Sequence, residues 1–285
     1  MSGQVEVVRP GPLTTVQDLG RPGHAHLGVP RAGAVDRESL KLANRLVGND
    51  EGAAGLECTL AGPALRFEQA AVVAVTGAGA PVTVDGEEFE VNAAIDLPPG
   101  AVLEVGTATA GLRPYIAVRG GIEAEAVLGS RSRDTLSALG PEPLAGGDRL
   151  AIGEPAGPRP AISVAPVAPP GSGAVVRVTP GPRADWFGPR ALELLAGEPW
   201  TVSPESNRSG TRLDGTPIPR EREGELRSEG MVEGAIQVRN SGLPMVLLAD
   251  HPTTGGYPVI AVVVGEDLPK VAQARPGETI RFRPA

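Results

Sequence analysis

Cysteine, lysine, histidine and aromatic residues are all scarce in this 285-residue chain. The single Cys58 excludes an internal disulfide and any zinc site built on several cysteines. Eight aromatic residues leave Val, Leu, Ile and Ala to fill the core. They also offer few platforms for stacking bases, and a net charge of −8 lacks the basic footprint that phosphate backbones require. Nucleic acid is therefore not expected as a partner. Lysine occurs twice, Lys41 and Lys270, against 24 arginines. Arginine binds anions but does not deprotonate, so it is a poor base or Schiff-base former. The only imidazoles are His24, His26 and His251. His24 and His26 would share one face of a strand, but no carboxylate or thiol stands at ligand spacing, so no metal is expected. The opening MSGQVEVVRP has no apolar signal core, and the apolar stretch around 257–265 is too short to span a bilayer. A soluble cytoplasmic protein without a membrane partner is expected. P-loop, G-x-S-x-G and H-E-x-x-H patterns are missing, as is a Met-Lys-Met segment that would carry biotin.

Glycine and proline, in contrast, are abundant at 39 and 30. Both interrupt helix interiors, which excludes a helical bundle or coiled coil. With 41% hydrophobic residues in recurring runs, the chain reads as mostly β with a few short helices, rather than as disordered. Period-two alternation marks strands at Leu65/Phe67, Phe89/Val91, Ile236/Val238 and Ile280/Phe282, each with one buried and one wet face. Val72–Val75 and Val259–Val264 are continuous apolar runs that suit fully buried strands. Three segments, GAVLEV from Gly100, GDRLAI from Gly147 and GETIRF from Gly277, each read as a turn followed by an alternating strand. They hint at related barrel-like modules. The best helix is 36–47, capped by Asp36 and stopped at Gly48-Asn49. Shorter helices are expected around 191–195 and 266–274. The Pro-rich run 156–172 reads as a stiff spacer. It divides the chain into an N-terminal β-rich module, 1–155, and a C-terminal barrel module, 173–285.

Candidate chemistry gathers in loops. In TTVQDLGRPGHAHLGVP, Asp18 and Arg21 either bind an anion or pin an irregular loop; composition favours the pin. Gly77–Ala80 offers amides to an anion, but a hairpin turn joining the strands around Val72–Thr76 and Val82–Val84 is the better reading. In SPESNRSGTR, Arg208 and Arg212 can clamp a carboxylate or phosphate, or simply be surface arginines. LLADHPTTGGYP places an acid, an imidazole, two hydroxyls and a phenol between two core strands. Asp250 or His251 there can act as general base, with Thr254, Tyr257 and glycine amides as donors. The alternative is a long hairpin whose hydroxyls satisfy its own amides. Glu229 and Gln237, just upstream, can face the same place.

These segments resemble a known family: the C subunit of ATP-dependent 5-oxoprolinase, allophanate hydrolase subunit 2, and the matching part of the biotin-dependent urea carboxylase carboxyltransferase domain. The resemblance is carried by QDLGRPG at 17–23, GAVDRESLKLANRLVGN at 33–49, TLAGPALRF at 59–67 and VLGSRSRD at 127–134. It continues through PGPRADWF at 180–187, WTVSPESNRSGTRLDG at 200–215, SEGMVEGAIQV at 228–238 and LLADHPTTGGYPVIAVV at 247–263. The chain departs from the family pattern at Ser209, Thr211, Pro252 and Arg31, where methionine, tyrosine, glutamine and serine are usual. The resemblance implies two β-rich modules of cyclophilin-like barrel type. It implies a C subunit, inactive alone, that works with subunits A and B to open the lactam 5-oxoproline to glutamate at the expense of ATP. The B partner is of the allophanate hydrolase subunit 1 type. ATP is then a cofactor of the complex, not necessarily of this chain.

Two alternatives follow from the same family. One is a carboxyltransferase component that receives carboxybiotin from another chain and acts on urea or an amide. The other is a non-enzymatic antagonist of a kinase inhibitor that is itself similar to the B partner. In the enzyme reading Asp250, His251, Thr254 and Tyr257 serve chemistry. Arg208, Arg212, Asp18 and Arg21 bind anions, and Glu229 and Gln237 orient the substrate.

Overall fold

The computed structural model describes residues 3–222, 224 and 226–285. Packing groups them into two compact units that are each discontinuous in sequence. The first comprises residues up to Arg21, Asp36–Asp134 and Ala138–Pro170. The second comprises Pro22–Val35, Thr135–Ser137 and Gly171–Ala285. A division read from composition alone leaves 22–35 and 135–137 with the N-terminal residues. Composition carries no trace of which core a short loop joins.

The first unit is a two-sheet sandwich. Its seven-stranded sheet is built around Gly3–Arg9, which pairs antiparallel with Ala64–Phe67 and Arg149–Ile152. Its five-stranded sheet runs Thr14–Gln17, Gly55–Cys58, Ala110–Val118, Ala71–Gly79, Ala94–Leu97. Val5, Leu65 and Leu103 of one sheet meet Val73, Val75 and Ile116 of the other in a common core. Helix Arg37–Val47 covers the opposite face of the five-stranded sheet, where Ala43, Leu46 and Val47 pack on Ala74 and Ala117. Coverage on both faces is why the run at Val72–Val75 is continuous rather than alternating. Asp36 caps the helix as expected, accepting from the Ser39 amide at 3.1 Å, and Gly48 ends it.

The expected hairpin at Gly77–Ala80 does not form. Strand Ala71–Gly79 continues through Gly77, with a register irregularity against Ala110–Val118, and the chain then crosses to the other sheet. Val82–Val84 pairs there with Glu87–Phe89 and Val102–Val105. His24 and His26 do not lie on a strand either; they flank and occupy the 3₁₀ turn Ala25–Leu27. Much of the Pro-rich run is tied to the first unit, through Ala94 N–H to Ser163 O at 2.7 Å and Ala165 N–H to Asn92 O at 2.8 Å.

The second unit is a closed barrel. In spatial order its strands are Ala174–Pro180, Val259–Val263, Ala235–Val238, Pro244–Leu247, Gly210–Asp214, Pro199–Val202 and Thr279–Pro284. The ring closes through a parallel pairing of Ala174–Pro180 with Thr279–Pro284. Trp200, Leu213, Ile236, Val246, Ile260 and Phe282 fill it. Helix Ala191–Gly197 supplies Leu195, whose carbonyl accepts from the Trp200 indole at 3.0 Å. The three glycine-led repeats are real turns. Gly100, Gly147 and Gly277 all adopt φ between 85° and 90°, open only to glycine at low cost, and each leads into a strand. Among the described residues no helix is long and apolar enough to cross a membrane.

Candidate functional site

The barrel ladder itself brings Arg208 to Asp250. Strands Gly210–Asp214 and Pro244–Leu247 pair with Gly210 opposite Leu247, and the bonding runs on past their ends. Leu248 N–H donates to Ser209 O at 3.0 Å and Asp250 N–H to Arg208 O at 3.1 Å. The side chains then close on each other: Arg208 Nε to Asp250 Oδ2 at 2.9 Å and Nη2 to Oδ1 at 3.0 Å. Thr135 donates both its amide, at 2.8 Å, and its hydroxyl, at 2.7 Å, to Asp250 Oδ2. Arg208 Nη2 also donates to Gly33 O at 2.7 Å. Asp250 is fully buried and Arg208 is 2% exposed. Oδ2 accepts three of these four hydrogen bonds and Oδ1 one, and the carboxylate that faces the guanidinium fork is sealed from solvent. It fixes structure rather than accepting a substrate proton.

His251 follows directly. Its amide donates to Leu248 O at 3.1 Å, and its Nδ1 donates to Pro252 O at 2.8 Å. That bond leaves Nε2 as the acceptor nitrogen of the neutral ring. Beyond it, Thr254–Gly255 forms a two-stranded ribbon with Glu229–Gly230, and Met231 N–H donates to Thr253 O at 2.9 Å. Gln237 braces this loop from the barrel wall, donating to Tyr257 O at 3.3 Å. The alternation of Ile236 and Val238 predicts a wet face for Gln237; it is buried instead, because Met231 and the loop cover it. A side chain at Gly255 would place its Cβ 2.8 Å from Gln237 Nε2, so the end of the brace would have to shift. Glu229 forms a two-point ion pair with Arg183, which holds its carboxyl below the usual carboxylate range. Thr254 and Tyr257 are exposed, and the Tyr257 ring lies 5.9 Å from the Arg220 guanidinium.

The sequence candidates thus fall into groups. Asp250, His251, Thr254, Tyr257, Glu229 and Gln237 line one continuous system of loop and brace. Arg208 belongs to it through Asp250. Arg212 does not form a clamp with Arg208; it pairs at 2.7 Å with the exposed Glu205. Asp18 and Arg21 lie in the first unit. Asp18 accepts from the hydroxyls of Ser130 and Ser132 and from the Arg131 and Gly20 amides, while Arg21 donates to Val127 O. Both pin the 127–132 segment, the loop-pinning role weighed from composition. Sequence reasoning missed Gly33, Thr135 and Arg183. Arg183 and Gly33 carried a signal, standing in the PGPRADWF and GAVDRESLKLANRLVGN segments; Thr135 carried none.

The model of the carboxyltransferase domain, subdomain A and B, matches residues 27–284, which includes every second-unit residue of the loop and brace. The chain belongs to that family. This carboxyltransferase-family chain is 37% identical over 281 residues to the C subunit of 5-oxoprolinase from Escherichia coli (strain K12), covering 98% of the chain and 90% of that relative. The solved protein TTHA0988 superposes with a TM-score of 0.90 at 37% identity, over 99% of this chain and 55% of that one. Kluyveromyces lactis urea amidolyase gives a TM-score of 0.92 at 33% identity, over 100% of this chain and 19% of that one. The chain therefore spans about half of TTHA0988 and about a fifth of the urea amidolyase.

Proposed function

We propose that this chain is the C subunit of an ATP-dependent 5-oxoprolinase, acting with subunits A and B to open 5-oxoproline to glutamate. The observation that carries the reading is the extent of the likeness to the E. coli C subunit, 98% of this chain against 90% of that one. The reaction adds water across the lactam C–N bond while ATP is hydrolysed. The loop from His251 to Tyr257 suits it. His251 Nε2 relays a proton at the lactam, and the Thr254 and Tyr257 hydroxyls donate to its carbonyl oxygen. The buried Arg208–Asp250 pair and the Gln237 brace hold that loop in place. ATP binds the complex, and the chain is inactive alone. The protein is cytoplasmic in this reading.

A carboxyltransferase role is the second reading, favoured by the family description and by the urea amidolyase likeness. Biotin would then be carried by another chain. Reconstitution with subunits A and B, scored by 5-oxoproline-dependent ATP hydrolysis, tests the first reading. Turnover only with a carboxybiotin carrier and urea would select the second. A stable complex with no turnover on any donor would select an antagonist.

A further inference from the structure

A cavity of about 510 Å³ opens in the second unit, lined by Pro217, Ile218, Pro219, Arg220, Asn240 and Ser241 among others. Among the described residues Arg220 differs from two arginines near it in lacking a carboxylate partner. Arg183 is paired with Glu229, and Arg222 with Asp185 at 2.8 Å. Among the described residues Arg220 has no carboxylate partner, and its Nε is buried without a hydrogen bond. Its Nη2 donates to Val238 O, which fixes the direction of the fork. Its guanidinium lies over the Tyr257 ring at 5.9 Å, on the same loop as His251 and Thr254. A partly buried cation that lacks a counter-charge costs free energy unless an anion supplies one. Burial lowers the Arg220 pKa.

We propose that Arg220 is the carboxylate-recognising residue of this cavity, taking the carboxylate of a small amide or lactam acid beside the Tyr257 loop. The inference rests on the proposed 5-oxoproline reading, since that substrate carries a carboxylate next to its lactam. Guanidinium binds a carboxylate through two parallel N–H bonds, and the open donors of Arg220 supply that geometry. The Tyr257 ring, 5.9 Å from the guanidinium, connects the cavity to the loop that carries the candidate chemistry. Arg220 is then a specificity residue, and urea, which has no carboxylate, gains nothing from it.

Calorimetric titration of the full chain with 5-oxoproline, acetate and 2-pyrrolidinone tests this. The lactam acid is expected to bind, and the Arg220→Gln variant to bind it at least about tenfold more weakly. Arg220→Lys should fall between, because it keeps the charge but not the fork. Arg190→Gln, at an exposed pair with Glu193, should leave binding unchanged. Uncharged 2-pyrrolidinone should bind more weakly than 5-oxoproline and be insensitive to Arg220→Gln. Unaltered melting temperatures establish that the variants fold. No saturable binding by the wild-type chain, or equal binding by folded wild-type and Arg220→Gln chains, overturns the proposal. Arg220-dependent acetate binding, in a chain whose assembly shows no 5-oxoproline-dependent ATP hydrolysis, keeps the carboxylate site and removes the proposed function.

Discussion

Arg208 and Asp250 form a buried two-point ion pair, 2.9 and 3.0 Å long, that also gathers Thr135 and Gly33 around it. The pair lies where the Gly210–Asp214 and Pro244–Leu247 ladder runs out, directly before His251. Its place in the chain makes it an anchor for the loop rather than a reacting group.

Removing one member should therefore unfold more than it inactivates. Asp250→Asn leaves the Arg208 charge buried against a neutral amide, and a loss of about 3–5 kcal/mol is expected. Thr135→Val removes the hydroxyl bond alone, for about 1 kcal/mol. A double Arg208→Met/Asp250→Leu variant should lose less than its two single changes together, since no charge is left unpaired. Urea denaturation monitored by tryptophan fluorescence measures each of them. Additive losses would mean that the two side chains act independently.

His251 should behave in the opposite way. Its Nδ1 is committed to Pro252 O and its Nε2 is the available nitrogen. His251→Gln is expected to lower turnover of the reconstituted assembly by about 10²–10⁴-fold, the usual worth of a general acid–base group. Its melting temperature should stay close to that of the wild type. The decisive comparison is turnover at matched folding: the variant should lose turnover while keeping its fold. A variant with unchanged turnover removes His251 from the chemistry.

Acid stability has a separate source. Asp267 is buried and accepts from the Arg177 amide and guanidinium and from Lys270, which together depress its pKa well below the ordinary carboxylate range. A depressed folded pKa means that the contribution is complete above the unfolded value of 3.8 and fades as pH falls toward the folded one. Asp267→Asn should cost about 2 kcal/mol at pH 7. The difference from wild type should shrink as pH drops below about 4. Stability curves from neutral to strongly acidic pH check the sign. A gap that widens with acid would contradict the assignment.

Local rules made much of the fold legible. Asp36 and Gly48 bracket a helix because capping is settled within a few residues, and the glycine-led repeats became turns for the same reason. The crossing at Gly77–Ala80 was not legible, since a turn and a strand that changes sheets share the same composition. The candidate site followed the same divide. Its loop stood out as a cluster of polar groups in LLADHPTTGGYP. The partners that define its behaviour lie 42, 115 and 175 residues away along the chain, at Arg208 for Asp250, Thr135 for Asp250 and Gly33 for Arg208. Nothing local marks a threonine or a glycine carbonyl as the mate of a distant ion pair. Thus Asp250, read with His251 as one of two candidate bases, is a sealed anchor in space.

The most direct measurement is glutamate release from 5-oxoproline by subunits A and B with and without this chain. Release that requires the chain, and proceeds together with ATP hydrolysis, is the predicted result. Full glutamate release without the chain, or none with it while carboxybiotin-dependent urea carboxylation proceeds, would contradict the account.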